Sequence, residues 1–174
     1  MENAAFNIAT ILVSAGAVFM AVYFIVKEFF ANESKKRVAE LRGAISAQII
    51  PARMQAYERV ILFLERISPA SLIMRVHKNG MSARNLQAEL IKNIRTEYEH
   101  NISQQIYLSH GAWELVKTAK EETIKLINIA STKVPDSAGS LDLSQKIFEI
   151  GTQLTQLPTD IAIEKIKKEF AATF

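Results

Sequence analysis

The chain has 174 residues, with 21 Lys and Arg against 18 Asp and Glu, a formal net charge of +3, and no cysteine. Without cysteine there is no disulfide framework, zinc knuckle, iron–sulfur cluster or thiol nucleophile. About 49% of the residues are hydrophobic, and they are not spread evenly.

The first element is Asn3 to Val26, 24 residues without Asp, Glu, Lys, Arg or His. About 20 such residues in a helix span the hydrocarbon core of a bilayer, so this stretch predicts a transmembrane helix with a modest tilt. Asn7, Thr10 and Ser14 are its clearly polar side chains. A cleaved signal peptide carries its positive charge before a shorter apolar run and small residues at the cut. Here the basic residues follow the run, at Lys27, Lys35, Lys36, Arg37 and Arg42, and Tyr23-Phe-Ile-Val-Lys27 is a poor cleavage site. The expectation is an uncleaved anchor over residues 1–26. Lys and Arg concentrate on the cytoplasmic side of spanning helices. That places the N-terminus outside a bacterial inner membrane and residues 27–174 in the cytoplasm, with Tyr23, Phe24, Phe29 and Phe30 at the inner interface. Ala17 and Ala21 are a small-x-x-x-small pair that suits helix approach and lipid exposure equally.

Residues 27–50 lack proline and carry Phe30, Ser34, Val38, Leu41 and Ile45 at helical spacing, so a juxtamembrane helix continues the anchor. Gly43 is a weak point. Pro51 is expected to end or kink this helix, because proline lacks the amide and clashes with the preceding turn. Residues 51–174 then read as a helical bundle. Tyr57, Val60, Ile61, Leu64 and Ile67 form one face, and Leu62 and Phe63 widen it toward burial in a core or interface. Ser68-Pro69 signals a helix start, with the serine capping and the proline in the first turn, running to about Val76. His77 to Gly80 closes that helix and Ser82 caps the next, with Leu86, Leu90, Ile94, Tyr98 and Ile102 every four residues. The chain reverses near Ser109-His110-Gly111. Trp113, Val116, Ile124, Ile127 and Val134 line the following helix, and residues 135–140 are the clearest loop. Leu143, Ile147, Ile150 and Leu154 make another helix, and Leu157-Pro-Thr-Asp160 precedes the last, on Ile163, Ile166 and Phe170. No stretch alternates long enough for a strand. The fold class expected is all-α: an N-terminal transmembrane helix followed by a cytoplasmic antiparallel helical bundle.

A search for chemistry finds little. Glu97-x-Glu99-His100 is a superficial metal cluster, but on a helix Glu97 and His100 share a face while Glu99 projects about 100° away. A di-iron bundle needs a Glu-x-x-His motif from each of two helices plus two further Glu, and only one such motif occurs. His77 and His110 fall in or beside turns. No phosphate-binding loop, dinucleotide fingerprint or nucleophile elbow is present. The expectation is a protein without catalytic, cofactor-binding or metal residues, without a small-molecule substrate, and not an enzyme.

Charge divides the part beyond the anchor. Lys27 to Arg95 holds 13 basic and 6 acidic residues, net +7; Glu97 onward holds 8 basic and 11 acidic, net −3. The proximal half is therefore basic and the distal half acidic. Juxtamembrane cations are attracted to anionic inner-leaflet lipids, although positive-inside bias accounts for them as well. Glu interspersed among the cations, with no basic-aromatic interleaving, excludes a nucleic-acid platform. Glu97 to Tyr107 is rich in amides flanked by Tyr98 and Tyr107, which suits either a structural corner or a partner surface.

The runs Met54-Gln-Ala-Tyr-Glu-Arg-Val-Ile-Leu-Phe-Leu-Glu-Arg-Ile-Ser-Pro69 and Glu97-Tyr-Glu-His-Asn-Ile-Ser-Gln-Gln-Ile-Tyr-Leu-Ser109, followed by Ala112-Trp-Glu-Leu-Val116, resemble an uncharacterised family of small single-span membrane-anchored helical proteins of Bacteroidota-type bacteria. The resemblance covers nearly the whole chain. It implies a bacterial inner-membrane setting and no known activity. Three roles follow as expectations. The first is an accessory or scaffold subunit of a membrane complex, with other subunits or further copies as partners. The second is a tethered adaptor recruiting a cytoplasmic protein through the bundle. The third is a stalk resembling the anchored subunit of a rotary ATPase, disfavoured by prolines at 51, 69, 135 and 158.

Overall fold

The computed structural model describes the backbone of residues 2–173 and the side chains of residues 12, 15–45 and 47–173. The described residues form six α-helices, α1 (Glu2–Ile67), α2 (Pro69–Val76), α3 (Ala83–Asn101), α4 (His110–Thr132), α5 (Ser140–Thr152) and α6 (Pro158–Thr173), with a 3-10 turn Ile102–Ile106 between α3 and α4. The all-helical class expected from the spacing is what is found. Readings that rest on Asn7, Thr10 and Ser14 fall on side chains outside the described residues.

The chain divides into two units, residues 1–50 and 51–174. In the first, α1 runs on from the apolar stretch through residues 27–50 as helix, and the large apolar side chains described there stand exposed. Of the two outcomes expected at Pro51, an end to the helix is not found: α1 continues through to Ile67. Proline removes a single amide, here the one that would reach the Ala47 carbonyl, and both residues are exposed, so the freed carbonyl is not buried.

In the second unit α4 is central, packing against α3, α5 and α6, while α2 sits on α3 and α5. Its inward face is Trp113, Val116, Ala119, Thr123, Leu126, Ile127 and Ala130, spaced at three and four residues. The last turns of α1 supply Tyr57, Val60, Phe63, Leu64 and Ile67, all buried. Of the two places expected for Leu62, the core is not the one found: it is 58% exposed, on the helix side away from Phe63's neighbours. All the buried apolar residues described lie between Ala56 and Ile166, so the second unit contains its own core.

The caps follow local chemistry. The Ser82 hydroxyl accepts from the Asn85 amide (3.2 Å) at the start of α3, and Ser109 accepts from Ala112 (3.1 Å) at the start of α4. Ser68 precedes Pro69 as expected, but its hydroxyl donates to the Glu65 carbonyl (2.8 Å), so α2 has no side-chain cap. Gly80, at φ +80°, takes the left-handed turn between α2 and α3 that other residues rarely adopt. Residues Ser82 and Gly139 form an isolated antiparallel bridge, with Ala83 N–H to the Ala138 carbonyl (3.0 Å) and Ser140 N–H to the Met81 carbonyl (2.9 Å). This clamps the 133–139 loop to the start of α3. Helix α4 stops at Thr132, short of Val134, and α5 stops at Thr152, leaving Leu154 outside the helix.

Candidate functional site

Glu97, half of the one Glu-x-x-His motif, is committed elsewhere. Its Oε1 accepts from Arg66 Nη2 (2.5 Å) and Nε (2.9 Å) and from Arg75 Nη1 (2.9 Å), joining α1, α2 and α3. Burial pushes its carboxyl up, but the hydrogen bonds and charges of the two guanidiniums outweigh it and hold it below the ordinary glutamate value. His100, one turn on, is exposed. Among the described residues no three of His, Asp or Glu gather as a metal site would require.

The Glu97–Tyr107 stretch divides in two. Tyr98 stacks on Trp113 (5.7 Å between centroids), tilts against Phe63 (6.1 Å), and carries the Lys120 ammonium over its ring at 4.2 Å. Asn101, buried, donates to the Glu97 carbonyl one turn back (2.8 Å). Beyond it the amides do not form a buried network. Gln105 and Ile106 face outward, Ile106 at 74% exposure.

Spacing alone did not reveal a second polar junction. Glu169 on α6 accepts from the Tyr57 hydroxyl (2.6 Å) on α1 and from the amide (3.2 Å) and hydroxyl of Ser109, the residue that caps α4. Burial raises the Glu169 carboxyl, but these donors and the Arg53 charge bring it below its ordinary value, while burial and the same carboxylate push the Tyr57 phenol up. The signal lies in residue types that could pair across 112 positions, which periodicity cannot see. Beside this junction Tyr57, Ile61, Ile166 and Phe170 line an apolar groove of about 260 Å³.

Two further surfaces stand out. An open cleft of about 520 Å³ of mixed lining lies between residues 77–82 and 137–142, but its one carboxylate, Asp142, accepts from the Gly139 amide (2.8 Å) as an N-terminal cap of α5. A shallow apolar groove of about 190 Å³ between α2 and α5 is lined by Ala70, Ile147, Phe148 and Leu157, and Met74 and Leu141 on the same two helices are 84% and 70% exposed.

Among the described residues, α1 carries a long run of exposed apolar side chains. From Val18 to Phe30 its large apolar side chains are 45–73% exposed. An 18-residue window there has mean hydropathy 1.4, with none of it buried, so by length and composition this helix can cross a membrane.

A family model matches residues 3–173, almost the entire chain. The chain belongs to the DUF7935 family. That family is described as one of unknown function, so membership supplies a lineage and no activity. No curated protein matches the chain, and no solved structure does. For this DUF7935 member the geometry of its surfaces therefore carries the functional reading.

Proposed function

We propose that this DUF7935 protein is a non-catalytic, single-pass protein of a bacterial inner membrane that serves as an accessory or scaffold subunit of a membrane complex. One observation carries the reading. A chain that buries its bundle core thoroughly leaves a band of Phe, Val, Ile and Met on α1 uncovered, and apolar patches of that size mark membrane or protein interfaces. The basic residues that follow the band at 27, 35, 36, 37 and 42 orient residues 27–174 to the cytoplasm. In the bundle the partly buried carboxylates with shifted titration, Glu97 and Glu169, are both tied up in joining helices, which favours a binding role over catalysis.

The reading is tested by fractionating cells that produce the full chain and washing the membranes with alkaline carbonate. Retention in the pellet, with added cysteines labelled from outside at residue 3 and not at residue 100, is the expected result. Release by carbonate rules the anchor out.

A second reading is favoured by the exposed Met74, Leu141 and Phe148 on α2 and α5: a tethered adaptor recruiting a cytoplasmic protein through the bundle. A fragment from Lys27 onward then captures the same partner as the whole chain, and failure to do so counts against it.

A further inference from the structure

The apolar face of α1 does not end with the membrane band. Ala31, Ser34, Val38, Leu41, Ile45 and Ile49 follow one another in steps of three and four residues, averaging 3.6. Of these, Val38, Leu41, Ile45 and Ile49 are 48%, 63%, 55% and 47% exposed. A face built with core periodicity thus stands uncovered for more than four turns.

Two properties select what covers it. The first is height. Helix α1 has no break between Val26 and Ile49, so at 1.5 Å per residue Leu41 stands about 22 Å and Ile49 about 34 Å along the axis from the end of the apolar stretch. A span of this length tilts only modestly, and a lipid headgroup layer does not reach that far. The second is charge. Lys35 and Arg42 edge the stripe, sharing a shallow groove with Ser34, Val38 and Ala39, and neither has an ion-pair partner among the described residues. The acidic Glu33 and Glu40 lie toward the opposite side by helical projection, and Glu33 pairs with Arg37 (2.9 Å). Two copies anchored in one membrane run parallel, which sets Arg42 of one beside Arg37 of the other across the seam, and Arg37 is already paired with its own Glu33, so a second copy offers Lys35 and Arg42 no free carboxylate.

We propose that residues 30–49 of α1 dock a helix of a different membrane-associated protein, apolar at the same three- and four-residue spacing and edged by Asp and Glu facing Lys35 and Arg42. The inference rests on the accessory-subunit reading and gives that role its contact surface.

The test uses the full chain in its native membrane, with a benzophenone amino acid placed singly at Leu41, Ile45, Lys36 or Ala47. After irradiation the adducts are sequenced by mass spectrometry. The expected result is one protein adduct from Leu41 and Ile45 and none from Lys36 and Ala47, its cross-linked peptide apolar at helical spacing with flanking carboxylates. Combining Lys35→Glu with Arg42→Glu lowers its yield roughly tenfold, while Lys36→Glu leaves it unchanged. These sites are exposed, and an unchanged thermal melt of the variants shows that the bundle stays folded. An adduct of twice the chain mass, a lipid adduct, no adduct, equal yields from both faces, or a yield indifferent to the charge reversal each overturns the proposal. Co-purification with a complex that cross-links only through residues 51–174 sinks this inference and leaves the accessory-subunit reading standing. Loss of the chain from the membrane sinks both.

Discussion

Removing the charge of Glu97 is the sharpest probe of how the bundle is held. The Glu97→Gln change keeps the shape of the side chain but leaves the Arg66 and Arg75 guanidiniums converging on a neutral amide. Hydrogen bonds to a charged group contribute about 1.5–3 kcal/mol each when shielded. Glu97 is 17% exposed and Arg75 31%, but Arg66 is 45% exposed, so its share is discounted toward that of a surface pair. The sum is about 2 kcal/mol, or roughly 8 °C in Tm for a domain of this size. The assay is urea and thermal unfolding of residues 51–174, whose core is complete without the preceding helix. A double-mutant cycle with Arg75→Met isolates the pair and is expected to show coupling near 1 kcal/mol. As a control, Lys168→Ala breaks only an exposed pair with Glu164, which solvent screens, and is expected to leave the unfolding midpoint nearly unchanged. If Glu97→Gln is no more harmful than that control, or the cycle shows no coupling, the account of this junction is wrong.

Acid acts through the same groups. Glu97 and Glu169 both titrate below their ordinary value in the folded state, so their stabilisation is fully present above that value and is lost as pH falls through the folded one. Unfolding curves recorded between pH 7 and pH 3 are expected to shift toward lower urea, and the Glu97→Gln, Glu169→Gln double variant to shift less. The Thr159 hydroxyl is fully buried with no hydrogen-bond partner among the described residues. Thr159→Val is therefore expected to raise stability by about 1 kcal/mol, read as an increased denaturation midpoint at constant slope. Gly80→Ala places a side chain at φ +80° and is expected to cost about 1 kcal/mol by the same assay.

The parts of the fold governed by near neighbours in sequence were legible in the sequence. Ser82 caps because a hydroxyl reaches an amide three residues on, and Gly80 turns because the turn needs a positive φ. Both are local events. Pro51 does not end α1 because a proline's cost is one amide and one clash, which a long exposed helix can absorb without ending. Leu62 lies outside the core, because an apolar run wider than a stripe does not say which edge faces out. The polar junctions were out of reach for a different reason. Arg75 meets Glu97 across 22 positions and Tyr57 meets Glu169 across 112, and no periodicity links residues so far apart. The Glu97–Tyr107 stretch drew attention for its amides, yet its interior is organised by Glu97, Tyr98 and Asn101, with Gln105 and Ile106 turned outward.

The central claim is that α1 fixes the chain in a membrane as part of a larger assembly. Mild-detergent extraction of the tagged full chain from its native membrane, followed by sizing and mass spectrometry, tests it most directly. The account predicts a species well above the mass of one chain plus its detergent, containing another membrane protein in fixed stoichiometry. A clean monomer or a homo-oligomer would contradict it.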